Sequence, residues 1–89
     1  MSRITITRPD DWHIHLRDGD MLERTVNDVA AWANRAVVMP NLTPPVKNVS
    51  DATAYHSRIM AALEGFPQFE PLMTLYLTDS TTPADIAAA

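Results

Sequence analysis

The sequence has no cysteine, which excludes a disulfide framework, a thiolate nucleophile and a thiolate metal site. Basic residues are few. Seven Lys and Arg stand against 11 Asp and Glu, for a formal charge of −4. That excludes a nucleic-acid binder held by phosphate neutralisation. It also means that an anionic small molecule needs a locally placed cation, because the overall field does not attract it. No apolar run approaches the roughly 18 residues of a membrane span. The opening Met1-Ser2-Arg3-Ile4-Thr5-Ile6 has no apolar signal-peptide core. No membrane association is expected, and the cytoplasm is the expected location. There is no internal repeat and no low-complexity linker. The 89 residues allow one domain at most, and 46% hydrophobic with 20% charged is a globular composition.

What is present is an alternation of strands and helices. Arg3 to Thr7 alternates polar and β-branched residues and predicts a short strand, ended by Pro9. Trp12-His13-Ile14-His15-Leu16 alternates again and predicts a second. Asp20, three residues before Glu23, predicts a helix N-cap with its reciprocal acid. Leu22, Val26, Val29, Ala30 and Ala33 then fall at helical spacing, predicting a one-faced helix over 21–33 whose core includes Trp32. Ala36-Val37-Val38-Met39 reads as a strand buried on both faces. Pro44-Pro45 forces a loop. Asn48 with Asp51 marks the next helix start, and Ala52, Tyr55, Ile59 and Leu63 share one face of that helix. Gly65 and Pro67 end it. Leu72 to Leu77 is a further apolar strand, and Thr82-Pro83-Ala84-Asp85 opens another helix.

Strands alternating with helices predict an α/β fold with a parallel sheet. A complete (β/α)8 barrel takes about 250 residues. Residues 1–89 read as the N-terminal βα units of such a TIM-type barrel, incomplete in this chain. The alternative is a small three-stranded α/β domain, which would bury little of its surface.

The strand Trp12 to Arg17 carries the chemistry. Side chains alternate in a strand, so His13, His15 and Arg17 share one face, and Trp12, Ile14 and Leu16 share the apolar other, which belongs against helices. Residues at i and i+2 have Cα atoms about 6.5–7 Å apart, so the two imidazoles can converge on one zinc at about 2.0–2.1 Å. The alternative is two partly exposed histidines on an edge strand. Two ligands are also too few for a catalytic zinc site. The third histidine, His56, reads as a solvated helix residue. Arg17 offers a planar fork of donors suited to a carboxylate, and Asn41, at the end of the next strand, can donate from its amide. A surface arginine and a turn asparagine remain the plainer readings.

Arg8-Pro9-Asp10-Asp11-Trp12-His13-Ile14-His15-Leu16-Arg17-Asp18-Gly19-Asp20-Met21-Leu22 closely resembles the N-terminus of bacterial dihydroorotases of the monofunctional type. Val38 to Val46 and Pro71 to Asp79 resemble the second and third strands of the same family, in register. The resemblance implies the N-terminal part of one metal-dependent hydrolase barrel domain. It implies two Zn2+ ions per active site in the full-length enzyme, to one of which this chain supplies His13 and His15. The activity implied is reversible hydrolysis of the cyclic amide of dihydroorotate to N-carbamoyl-aspartate, in de novo pyrimidine (UMP) synthesis. Arg17 and Asn41 then hold the substrate carboxylate, and the backbone from His15 through Leu16 to Arg17 lines the substrate. A homodimer is the implied assembly.

No catalytic residue falls within these 89. The family's bridging carboxylated lysine, later histidines and proton-shuttling aspartate are expected downstream, and Lys47, in a proline-rich loop, is not given the bridging role. The chain alone is therefore expected to be inactive. Other cyclic amidohydrolases of the dihydropyrimidinase or hydantoinase kind share a two-histidine strand, but their neutral rings give a carboxylate clamp nothing to hold. A truncated or non-catalytic partner chain is the non-enzymatic alternative. Among the remaining residues, Asp10 and Asp11 read as a turn, Asp18 as a residue that orients Arg17 or a histidine or else caps the loop, and Asp79 as a turn.

Overall fold

A computed structural model describes residues 3–89. Three parallel strands, β1 (Asp10–Ile14), β2 (Arg35–Val38) and β3 (Glu70–Met73), form a sheet in that order. Helices α1 (Leu22–Ala30) and α2 (Val49–Ala62) make the crossovers, and α3 (Pro83–Ala88) follows β3. A short 3-10 turn, Gly19–Met21, leads into α1. The alternation of strand and helix is thus the parallel α/β arrangement expected.

One buried cluster holds the layers together. Leu22, Val26, Val29 and Ala30 of α1 meet Ala52, Tyr55 and Ile59 of α2, with Ala36 and Val38 of β2 beneath and Leu16 and Phe69 alongside. Asn27 of α1 ties down the far end of α2. Its amide donates to the Ala62 carbonyl at 2.9 Å, and its oxygen accepts from the Glu64 N–H at 2.8 Å. Two groups that a helix C-terminus and its exit leave unpaired are satisfied by one side chain.

Several sequence expectations are corrected. Arg3 to Thr7 forms no strand. The alternation is real, but a strand needs a neighbour, and pairing begins only where the Asn34 N–H donates to the Pro9 carbonyl at 2.8 Å. Strand β1 starts at Asp10, two residues before Trp12, so Asp10 and Asp11 are strand residues and not a turn. Asp10 takes two hydrogen bonds from Arg35, at 3.2 and 2.6 Å, which lock the starts of β1 and β2. These bonds hold its carboxyl below the usual carboxylate range. Asp20 does not cap α1. It lies inside the 3-10 turn, and Met21 occupies the cap position with no side-chain bond. Helix α1 stops at Ala30, and Trp32 lies exposed beyond it. Strand β3 ends at Met73, four residues before Leu77. In β2, Ala36 and Val38 are buried, but Arg35 and Val37 on the opposite face are only half-buried, so helices cover one face among the described residues.

Other readings hold. Asn48 caps α2, its side chain accepting from the Asp51 N–H at 2.8 Å. Thr82 and Asp85 form a reciprocal capping box, with Pro83 opening α3. Gly65 takes a left-handed conformation (φ 79°) just past α2, where a glycine meets no side-chain penalty. No helix among the described residues is long and apolar enough to cross a membrane.

Candidate metal and carboxylate site

The site begins with an irregularity in β1. Asp11 pairs with Ala36 and Ile14 with Val38, so two residues of β1 span what one residue spans on β2. Such a bulge bends its strand and re-aims side chains. It is pinned locally, because the His13 N–H donates to Asp11 Oδ1 at 2.9 Å rather than to the sheet. Strict alternation fails here. Trp12 is 72% exposed instead of packed under the helices, whereas Leu16 is fully buried and Ile14 packs on the core.

The bulge leaves the two histidines together. Their Nε2 atoms lie 3.2 Å apart, with ring centroids separated by 5.1 Å and planes at 63°. Two ligands of a tetrahedral zinc stand about 3.3 Å apart, as bonds of 2.0–2.1 Å require. The spacing therefore fits adjacent positions on one ion. Among the described residues no group of three or more His, Cys, Asp or Glu could hold a metal. His56 stands elsewhere, half-buried on α2 beside a 270 Å³ recess shared with Ala52, Thr53 and Met73.

The next residues turn the chain out of the sheet. Arg17 has φ 64°, a left-handed conformation that costs a non-glycine residue about 1–3 kcal/mol. Three side chains fasten this turn. The Thr25 hydroxyl donates to the Leu16 carbonyl, and the Tyr55 hydroxyl donates to the Arg17 carbonyl. Arg58 Nε and Nη2 donate to the Asp18 carboxylate at 3.0 and 2.9 Å. Asp18 is therefore engaged by α2 and orients neither Arg17 nor a histidine. Burial alone would raise its pKa, but the hydrogen bonds from Arg58 and from the Gly19 N–H, with the Arg58 charge, outweigh that and lower it. Burial pushes the Tyr55 phenol up to about 12, so it remains a donor at any physiological pH.

Arg17 is an exposed residue. Among the described residues its guanidinium has no ion-pair partner, unlike those of Arg24, Arg35 and Arg58. The Leu16 side chain belongs to the core, so only its peptide can face a ligand. Asn41 is exposed in the loop after β2. Because β1 and β2 run parallel and the Met39 N–H donates to the Ile14 carbonyl at 2.8 Å, residues 15–17 and 39–41 leave the sheet at the same end. The structure brings His13 and His15 into contact. It places Arg17 and Asn41 at that sheet end without a contact between them. A cleft of 530 Å³ between the Pro44-Pro45 loop, which has a cis Thr43–Pro44 bond, and α2 is lined by Asp18, Asp51 and Arg58, but by none of those four residues.

Sequence reasoning missed Thr25, Tyr55 and Arg58. Tyr55 was legible as an apolar position, yet a buried tyrosine hydroxyl calls for a partner, and that signal pointed to a polar contact under the site.

No protein-family model matches the chain. Curated relatives do. It is 60% identical over 89 residues to the dihydroorotase of a Picosynechococcus species, covering 100% of this chain and 26% of the relative. It is 61% identical over 87 residues to that of Pseudomonas putida, covering 98% of this chain and 25% of the relative. The chain spans about a quarter of the length of these relatives. A crystal structure of dihydroorotase from Campylobacter jejuni matches with TM-score 0.76 and 44% identity, over 81% of this chain and 21% of that one. The Saccharomyces cerevisiae dihydroorotase, in complex with 5-fluoroorotic acid, matches with TM-score 0.80 and 29% identity, over 89% and 21%. Both neighbours are TIM-barrel enzymes. In sequence over 100% of its length and in fold over 81–89% of it, this chain matches the N-terminal portion of the dihydroorotases.

Proposed function

We propose that these residues supply one side of a dihydroorotase active site, which interconverts dihydroorotate and N-carbamoyl-aspartate in a zinc-dependent homodimer of the full-length protein. The observation that carries this reading is the His13–His15 pair, with Nε2 atoms 3.2 Å apart at the end of β1. In this reading His13 and His15 would hold one of two zinc ions through their Nε2 atoms. Zinc held there would supply Lewis-acid activation of water and of the scissile carbonyl. Arg17 and Asn41 hold the substrate carboxylate, and the peptides from His15 to Arg17 line the ring. An exposed arginine with no ion-pair partner among the described residues supports an anionic ring over a neutral one.

The test is turnover by the full-length protein that carries these residues. Dihydroorotate should be hydrolysed, carbamoyl-aspartate cyclised, and both activities lost on chelation and restored by zinc. Hydrolysis of neutral dihydrouracil or hydantoin without turnover of dihydroorotate would overturn the reading.

A further inference from the structure

The turn that carries Arg17 is fastened by side chains from two helices. Three consecutive residues, Leu16, Arg17 and Asp18, are each held by a side chain from a helix, Thr25 of α1 and Tyr55 and Arg58 of α2. Tyr55 and Arg58 are three residues apart, which places them on one helix face, and the Arg58 guanidinium lies 5.3 Å from the centre of the Tyr55 ring. Tyr55 is completely buried. Only the backbone of Arg17 is gripped; the residue is exposed, and among the described residues its guanidinium has no ion-pair partner. This arrangement fixes the direction in which a long side chain leaves the sheet while leaving its donors free for a ligand.

We infer that Tyr55, supported by Arg58, is a positioning residue for the substrate carboxylate, acting through the left-handed peptide of Arg17. This rests on the reading of Arg17 as a carboxylate clamp. The Tyr55 hydroxyl touches no reacting atom. It selects the backbone state from which Arg17 reaches the ligand, so its loss weakens ground-state binding and leaves the chemical step alone.

The test compares Tyr55→Phe, Arg58→Gln, Arg17→Ala and the double variant Tyr55→Phe/Arg17→Ala in the full-length protein. Tyr55→Phe keeps the ring and should raise KM for dihydroorotate about five- to tenfold, the worth of one hydrogen bond, with kcat and zinc content unchanged. Arg58→Gln, at a half-exposed site, should raise KM about twofold. Because Tyr55 works through Arg17, the double variant should have the KM of Arg17→Ala alone. A lowered melting temperature with unchanged KM in both Tyr55→Phe and Arg58→Gln would mean a structural role and overturn the inference. So would KM effects that multiply in the double variant. Absence of dihydroorotate turnover in the unsubstituted protein overturns the functional reading and this inference with it, whereas turnover with an unmoved KM overturns this inference alone.

Discussion

Two facing imidazole nitrogens have few arrangements available. Either one ring donates its N–H to the lone pair of the other, or both lone pairs meet a cation. At 3.2 Å the Nε2 atoms of His13 and His15 satisfy the distance for both. Metal analysis separates them. Replacing either histidine with Ala should lower both the zinc content and the turnover of the full-length protein, while a hydrogen-bonded pair with no metal role would leave zinc content at the level of the unsubstituted protein. The pair was legible in the sequence because residues at i and i+2 stay close even where, as here, the strand ends at Ile14, between them. Trp12 was not. Its exposure follows from the bulge that the Asp11 carboxylate pins, and a one-residue change of count within β1 leaves no mark in hydrophobic alternation.

At the scale of elements, caps read better than strand ends. Asn48 and the Thr82–Asp85 box act through bonds spanning three residues, which local sequence specifies. Strand limits depend on where a neighbour ends, and so β3 stops at Met73 although apolar residues run on to Leu77. The Asp20–Glu23 spacing matched a capping pattern, but Gly19, in a left-handed conformation, opens a 3-10 turn and moves the helix start past it. The Asn48 cap has a consequence for the site, because α2 carries Tyr55 and Arg58. Asn48→Ala should destabilise the full-length protein by about 1 kcal/mol, read as a shift of the denaturant midpoint. An unmoved midpoint would show that the Asp51 N–H finds another partner. The Asp51 carboxylate already accepts from the Lys47 N–H at 3.2 Å, so the helix entry keeps one of its two local bonds in this variant.

At the scale of the molecule, the parallel order β1-β2-β3 was legible from strand–helix alternation, and the half-open sheet was not. Alternation shows which residues are apolar, not how many layers cover them. Val37 and Leu72 lie only half-buried on the face away from α1 and α2, and β1 and β3 each have a free edge among the described residues. Ile4, Ile6, Trp12 and Leu77 are exposed as well. Unpaired strand edges beside apolar side chains favour association between chains. These 89 residues, expressed alone, should therefore associate and lack a cooperative monomeric melt. Two histidines without further ligands or a proton-shuttling acid should also give no zinc-dependent turnover of dihydroorotate. Placing the chain in the Pseudomonas putida relative, in place of the 87 residues that match at 61% identity, should by contrast cover the open face and edges and retain turnover. A cooperative monomeric melt of the isolated chain would show that one covered face is enough for stability. Loss of turnover in a folded, zinc-loaded exchange would show that residues differing between the two segments reach the active site.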